Sequence, residues 1–405
     1  MKISLTQEQV LKVISCLLFG SNQSLEDICD WNQVLSEAKD QGVFLLFYAR
    51  LRDTIVKKFD EENICKWDKM AVQFSYTSII NSFGHTKLHH LLQNNGIPYV
   101  IMKGQASAVY YPEPLLRSSG DIDFLIKPED IDKTTKVLNE SSYLENKNNT
   151  CEFHLVFHKM NESLEMHWEP SGIPDGKKGD LCRAYMADAI SSAVLYTKEN
   201  TCFYIPDRFH HGLIILLHIA HHIIEAGVGL RHLCDWAVFV NSISNEEFCV
   251  LFQDKLKKVG LWRFAQLLTQ VSVRYLGCEY KQWADEDVDN EYLDQLIADV
   301  FASGNFGRKD TERRNEAKLL TVRAQRSSAD HGIIVPLCIK LADKAKKEIA
   351  ICDRLPILIP FGCIYILFRH FNKIRRGKKP KIHVTKMIHG VNKRADIYRE
   401  LKLFR

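Results

Sequence analysis

The sequence predicts an α+β protein in which a small mixed β-sheet sits between helical regions, and three observations predict it. Residues 1 to about 95 carry helical periodicity, as in "WNQVLSEAKDQGVFLLFYARL", where Trp31, Val34, Leu35, Ala38, Val43 and Leu46 recur at helix-like spacing. Short apolar runs of strand character follow at "YVIM" (99–102), Ile122–Lys127, Glu152–Lys159 and Ser163–Trp168. From Asp207 to about Val300 the helical pattern returns in "HHGLIILLHIAHHIIEAG" and "LRHLCDWAVFVNSI". At 405 residues the chain holds two or three domains by length. The pattern divides it into an N-terminal helical region (1–95), an α/β core (96–206), a second helical domain (207–330) and an apolar, basic segment (331–405).

Taken in order, the N-terminus reads as an amphipathic helix capped at Thr6. Gln7, Glu8, Gln9 and Lys12 break any secretory signal core. "HTKLHHLLQNNGIPYVIM" is a helix stopped by Asn94-Asn95-Gly96, with Pro98 leading into the first strand. The last two strands form a hairpin around "MNES". Residues 302–331, with Gly304, Gly307 and "RKDTERR", read as an exposed connection or a mobile loop. The 14-residue apolar run "LPILIPFGCIYILF" contains Pro356 and Pro360 and falls short of the ~20 residues a membrane span needs.

Composition excludes more than it identifies. Hydrophobic residues at 46% and charged residues at 26% exclude a disordered chain and a multispan membrane protein. Twelve cysteines with no Cys-x-x-Cys pair exclude a zinc ribbon and fit reduced thiols in the cytoplasm. Eleven Lys/Arg and no acid lie between Arg354 and Arg394, so under an overall charge of +4 the remainder is net −7. Residues 355–381 therefore read as a solvated tail, a peripheral contact with anionic membrane, or an RNA surface.

The chemistry concentrates in "YVIMKGQASAVYYPEPLLRSSGDIDFLI". Side chains i and i+2 of a strand share a face, so Asp121 and Asp123 project together while Ile122 and Phe124 face the core. Two carboxylates this close need a cation, and hard oxygen ligands suit Mg²⁺ or Mn²⁺. On "SLEMHWEP", Glu165, His167 and Glu169 share one face, and Glu165 is the best third carboxylate. Lys103-Gly104 opens a short helix whose N–H groups suit a phosphate, with Gln105 and Ser107 as added donors. Arg117 stands four residues before Asp121, placed for either aspartate or for a phosphate. His218, His221 and His222 have a spacing that admits zinc, although packing is its commoner meaning, and Asp235 is placed to pair with Arg231 at i−4.

The pattern Lys-Gly, short helix, Tyr-Pro, Arg, then Asp-x-Asp in an apolar strand resembles the uncharacterised nucleotidyltransferase family within the DNA polymerase β-like superfamily. "WNQVLSEAKDQGV", "LEMHW", "HIAHH", "GLRHLCDW" and "GNFGR" extend the resemblance over roughly residues 30–310. It implies a polymerase β-type core flanked by N-terminal and C-terminal helical regions. It also implies Asp121, Asp123 and Glu165 as metal ligands and catalytic carboxylates, with Lys103, Gly104, Gln105, Ser107 and Arg117 on the nucleotide. The activity implied is Mg-dependent transfer of a nucleoside monophosphate from an NTP such as ATP to a hydroxyl or phosphate acceptor: a small molecule, a glycan as in surface-polysaccharide synthesis, or RNA. The second helical domain would face that acceptor. The usual Gly-Ser is Gly104-Gln105 here, which leaves the serine contact to Ser107 or to backbone. Two other readings stand beside it: a toxin-like transferase acting on tRNA, and a non-catalytic nucleotide-binding or scaffold protein.

Overall fold

A computed structural model of the chain describes residues 2–28, 30–146, 153–285 and 288–309, then 341–342, 345–346, 349, 351–352, 355–375, 394 and 399–404. The chain divides into two compact units. One comprises Met1–Ile223, Gly227–Lys309 and Leu401–Arg405; the other comprises Ile224–Ala226 and Asp310–Glu400.

The first unit begins with four helices, α1 (Leu5–Phe19), α2 (Trp31–Asp40), α3 (Phe44–Ile55) and α4 (Glu61–Asn94). The α1 cap is Ser4 and not Thr6. Ser4 Oγ accepts the Gln7 N–H while the Gln7 side chain accepts the Ser4 N–H, a reciprocal box that needs glutamine three residues past the cap. Trp31, Val34, Leu35 and Ala38 are buried, as their spacing requires. After Asn94 the Ile97 N–H returns to the Leu92 carbonyl at 2.9 Å, with Gly96 at φ 60°, so the Asn-Asn-Gly stop acts where expected.

The sheet is mixed, with strand order β1-β2-β5-β4-β3 for β1 (Tyr99–Ile101), β2 (Ile122–Ile126), β3 (Leu144–Glu145), β4 (His154–Lys159) and β5 (Glu162–His167). β2 and β5 run parallel, and the other pairs are antiparallel. Ile122, Phe124, Leu164 and Met166 pack with Phe157 and with Leu88 and Leu92 of α4. A one-turn α5 (Gln105–Ala108) joins β1 to the segment before β2, and α6 (Ile131–Glu140) follows β2. Sequence periodicity missed the two-residue β3 and a separate hairpin, β6 (Val194–Lys198) with β7 (Thr201–Ile205). Phe203 alone in that hairpin is fully buried, so it carries little alternation to read.

After α7 (Lys177–Met186) come α8 (Arg208–Glu225), α9 (Leu230–Asn241), α12 (Trp262–Val271) and α13 (Asn290–Ser303), with α10 (Asn245–Phe248) and α11 (Asp254–Val259) between α9 and α12. Gln41, fully buried, ties the N-terminal helices to α9. Its side-chain oxygen accepts the Leu230 N–H at 3.1 Å and its carbonyl the Arg231 N–H at 3.2 Å, which satisfies two donors that a helix start leaves open.

Residues 303–307 are not the exposed connection expected of them, although Ala302, Arg308 and Lys309 on either side are exposed. Ser303, Asn305 and Gly307 are buried, and a Cβ on Gly229 would meet the Asn305 backbone at 2.8 Å, so only glycine lets these segments touch. The rest of that expected loop, 310–331, lies outside the described residues.

In the second unit the apolar run forms a 3₁₀ turn, Pro356–Leu358, and a helix, Ile359–Arg375, with Pro360 in its first turn. Ile357, Phe361, Ile364 and Phe368 are exposed. Among the described residues no helix is long and apolar enough to cross a membrane. The basic stretch 376–393 lies outside the described residues.

Candidate functional site

The parallel pairing of β2 with β5 sets Asp123 opposite Glu165 and Leu125 opposite His167. Because alternate residues share a face, Ile122, Phe124, Leu164 and Met166 fill the core and the polar set emerges on the opposite side. Asp121 stands just before β2, takes a hydrogen bond from Ser163, and feels the charges of Glu165 and Asp123. Lys103 leaves the end of β1, whose continuation is fixed by the Met102 N–H on the Asp123 carbonyl at 3.0 Å. Its ammonium lies 3.0 Å from Asp123 Oδ1.

His167, 1% exposed, places Nε2 3.2 Å from Asp123 Oδ1 and 3.5 Å from Glu165 Oε2. Burial works against the imidazolium, but its hydrogen bonds to the two carboxylates outweigh burial and raise its pKa. Asp123 behaves in the opposite sense to Asp121. Burial opposes its charge, yet Lys103 and His167 hold its carboxyl well below the usual range. For Asp121, burial and then the neighbouring Glu165 and Asp123 push the pKa up. One carboxylate is thus compensated by protein cations, and its neighbour is left seeking one.

Asp123, Glu165 and His167 each offer a ligand atom within 4.8 Å of the others. The carboxylate oxygens of Asp123 and Glu165, with Asp121 alongside, make a hard donor set that fits a divalent cation such as Mg²⁺ or Mn²⁺, while His167 Nε2 spends its proton on the two carboxylates.

Gly104 sits at φ 69°, ψ −114°, a conformation L-residues avoid, so it is required by the backbone of this turn. Gln105 and Ser107 are both buried, Gln105 with Nε2 3.4 Å from Ser119 Oγ. Ser119 donates to Asn81 at 2.9 Å and Asn81 donates to the Gly120 carbonyl at 2.7 Å, so α4 holds the turn that delivers Asp121.

Arg117 pairs with neither expected aspartate. Its Nε and Nη2 grip Asp235 at 2.8 and 2.6 Å, and Tyr111 donates to the same carboxylate at 2.8 Å. Burial disfavours the Arg117 cation, but Asp235 more than restores it and raises its pKa. The expected Asp235–Arg231 pair within α9 is therefore absent. A bidentate fork from a distant segment beats a single i−4 contact, and Arg231 instead donates to the Ser118 carbonyl at 2.9 Å. Glu169 is also taken, by Arg183 at 2.6 Å.

Sequence reading left His167, Asn81, Tyr111 and His232 unassigned. Only His167 had a signal, its shared face with Glu165. His218 and His222 meet His232 from α9, while the His221 ring is 5.2 Å from that of His222.

Over residues 28–277, more than half its length, the chain matches the profile of an uncharacterised nucleotidyltransferase family. The matched span contains Lys103, Asp121, Asp123, Glu165 and all three clustered histidines, and it ends before Asn305. No curated protein matches the chain.

Proposed function

The chain belongs to the uncharacterised nucleotidyltransferase family, and on that premise we propose that it is a polymerase β-like, metal-dependent enzyme moving a nucleoside monophosphate from an NTP to a hydroxyl or phosphate acceptor. The observation that carries this reading is the register that sets Asp123 against Glu165 beside Asp121, with Lys103 bonded into the same group. Asp121, Asp123 and Glu165 would hold Mg²⁺ or Mn²⁺. Bound there, such an ion polarises phosphoryl oxygens and lowers the pKa of a bound hydroxyl.

The remaining work falls to the protein. Lys103 and the Gly104 turn bind triphosphate oxygens as cation and close-approaching backbone. His167 fixes the orientation of Asp123 from behind. The Arg117–Asp235 clamp, joined by Tyr111, holds residues 117–120 against α9 so that Asp121 is delivered in one place. In this reading residues 96–206 are the transferase core and α8 to α13 form the acceptor side. The exposed apolar residues of the helix Ile359–Arg375 support peripheral contact with an anionic membrane, which flotation with anionic liposomes would detect.

Incubating the purified chain with each labelled NTP, Mg²⁺ or Mn²⁺ and a cell extract tests the proposal. Labelled product with released pyrophosphate is expected. Nucleotide binding without turnover under every combination would instead identify a non-catalytic nucleotide-binding protein.

A further inference from the structure

Lys103 also acts on a second group, one that the proposed reaction does not use. His218 and His222 on α8 and His232 on α9 bring their ring centroids within 4.4, 5.4 and 5.6 Å of one another. Phe306 closes the group, its ring 4.9 Å from those of His222 and His232, with the Arg231 guanidinium 5.0 Å from its centre. Phe306 does this at φ 57°, ψ 34°, a left-handed conformation rare for a bulky residue and found where surrounding structure enforces it.

Three polar atoms here, His222 Nδ1, His232 Nε2 and Arg231 Nε, are buried with no hydrogen-bond partner in the protein. His232 is 2% exposed overall, whereas His218 and His222 are half-buried, so the group is open on one side. Buried polar groups in folded proteins are paired, so three exceptions on residues packed around one phenylalanine ring call for a guest.

One nitrogen from each ring lies within 4.8 Å of the other two, a spacing that admits a metal ion or an oxyanion. Two features choose between them. The Gly229 N–H donates to His232 Nδ1 at 3.3 Å, so the neutral ring carries its proton on Nε2, and that nitrogen is a donor without a lone pair to give a metal. The fixed charges acting on the rings are also all cationic: Lys103 on all three, Arg231 on His222 and His232, and Arg117 on His232. These charges, with burial, hold the three imidazoles neutral and repel a further cation.

We propose that His218, His222, His232 and Arg231 form an oxyanion subsite for a phosphate-type group, with His232 Nε2–H and Arg231 Nε–H as its fixed donors. The subsite stands on its own geometry. Its role, to seat either a phosphate of the NTP or a phosphate carried by the acceptor, rests on the transferase reading.

The test titrates inorganic phosphate into the full, EDTA-treated chain, followed by calorimetry and by the imidazole NMR signals. Saturable binding that shifts the His232 and His222 resonances is expected. His222→Asn and Arg231→Met should each weaken it by about tenfold, the loss of one charge-assisted hydrogen bond. Asp123→Asn should not weaken it, because Asp123 lies outside the subsite and its loss frees the Lys103 ammonium. A non-hydrolysable NTP analogue that competes with phosphate would identify the nucleotide as the source of the group, and independent binding would identify the acceptor. Tight zinc binding abolished by His222→Asn, with no phosphate binding, would overturn the subsite in favour of a metal centre. Phosphate binding unchanged in both variants, or no binding at all, would reduce the three rings to packing. Phosphate binding that persists in a chain unable to label any acceptor would sink the transferase reading and leave the subsite.

Discussion

Two groups within the field of Lys103 are built on opposite electrostatic plans. On the sheet, Asp121, Asp123 and Glu165 gather negative charge, compensated in part by Lys103 and His167. On α8 and α9, the histidines and Arg231 gather buried donors in a cationic field with no protein acceptor supplied. Asp121 and Asp123 share one strand end, and the parallel register of β2 with β5 brings Glu165 to them from about forty residues away. The donors come from two successive helices, α8 and α9, and Phe306 packs its ring against them from more than seventy residues further along the chain. In the proposed reading the first group takes cations and the second a phosphate, and Lys103 is the charge common to them.

The comparison breaks most sharply at the carboxylates. Asp121→Asn and Asp123→Asn should each lower transfer on the order of 10³-fold, the loss of several kcal/mol of charge stabilisation, as measured by pyrophosphate release. Their stabilities should differ. Asp123→Asn leaves Lys103 and His167 without the negative charge they share and should cost about 1–3 kcal/mol in urea melts, whereas Asp121→Asn relieves crowding by Glu165 and should cost nothing. Equal melts for the two variants would contradict the division of roles between them.

Next in size is the clamp joining the sheet side to α9. Asp235→Ala leaves Arg117 buried and unpaired at 6% exposure, and should cost about 3–5 kcal/mol in chemical denaturation. Replacing Arg117 and Asp235 together with apolar residues should recover much of that.

Buried histidine also sharpens the picture on the helical side. His211 is fully buried beside Tyr110, and burial pushes its pKa down to about 3 from an ordinary 6.5. The unfolded chain takes up this proton before the folded one. Stability is therefore complete above about pH 6.5 and falls as the pH drops from there toward 3, losing about 1.4 kcal/mol for each pH unit crossed. His211→Phe should flatten the acid limb of a pH series of melts.

Smaller still is the contrast within β5 and its continuation. Glu165→Gln should lose most transfer while keeping NTP binding. Glu169→Gln should leave turnover within a few-fold and cost only about 0.2–1 kcal/mol, because its Arg183 partner is more than a third exposed. The reverse ranking would move the third carboxylate to Glu169.

Much of this architecture is legible in the sequence, and the residues show why. Trp31, Val34, Leu35 and Ala38 announce a helix because one face is buried along its whole length. Asp121 and Asp123 announce a shared face because strand geometry makes i and i+2 equivalent. The hairpin β6–β7 gives no such signal, since Val194 and Leu195 are exposed and alternation is lost. The cap at Ser4 was missed by two positions, where the glutamine three residues on was the readable clue.

By itself the sequence determined many short-range features: the helices and strands with a clear apolar period, that Asp121 and Asp123 share a face, and that Lys103-Gly104 lies between the first strand and a short helix. Tertiary structure alone decided which distant groups meet. It took Arg117 from the aspartates four and six residues away and gave it to Asp235, set Glu165 opposite Asp123 through a parallel pairing, and assembled His218, His222 and His232 around Phe306. Periodicity carries information over a few residues because backbone geometry repeats. An ion pair between buried groups is chosen by desolvation and bidentate fit, which depend on what the whole fold brings within hydrogen-bond reach.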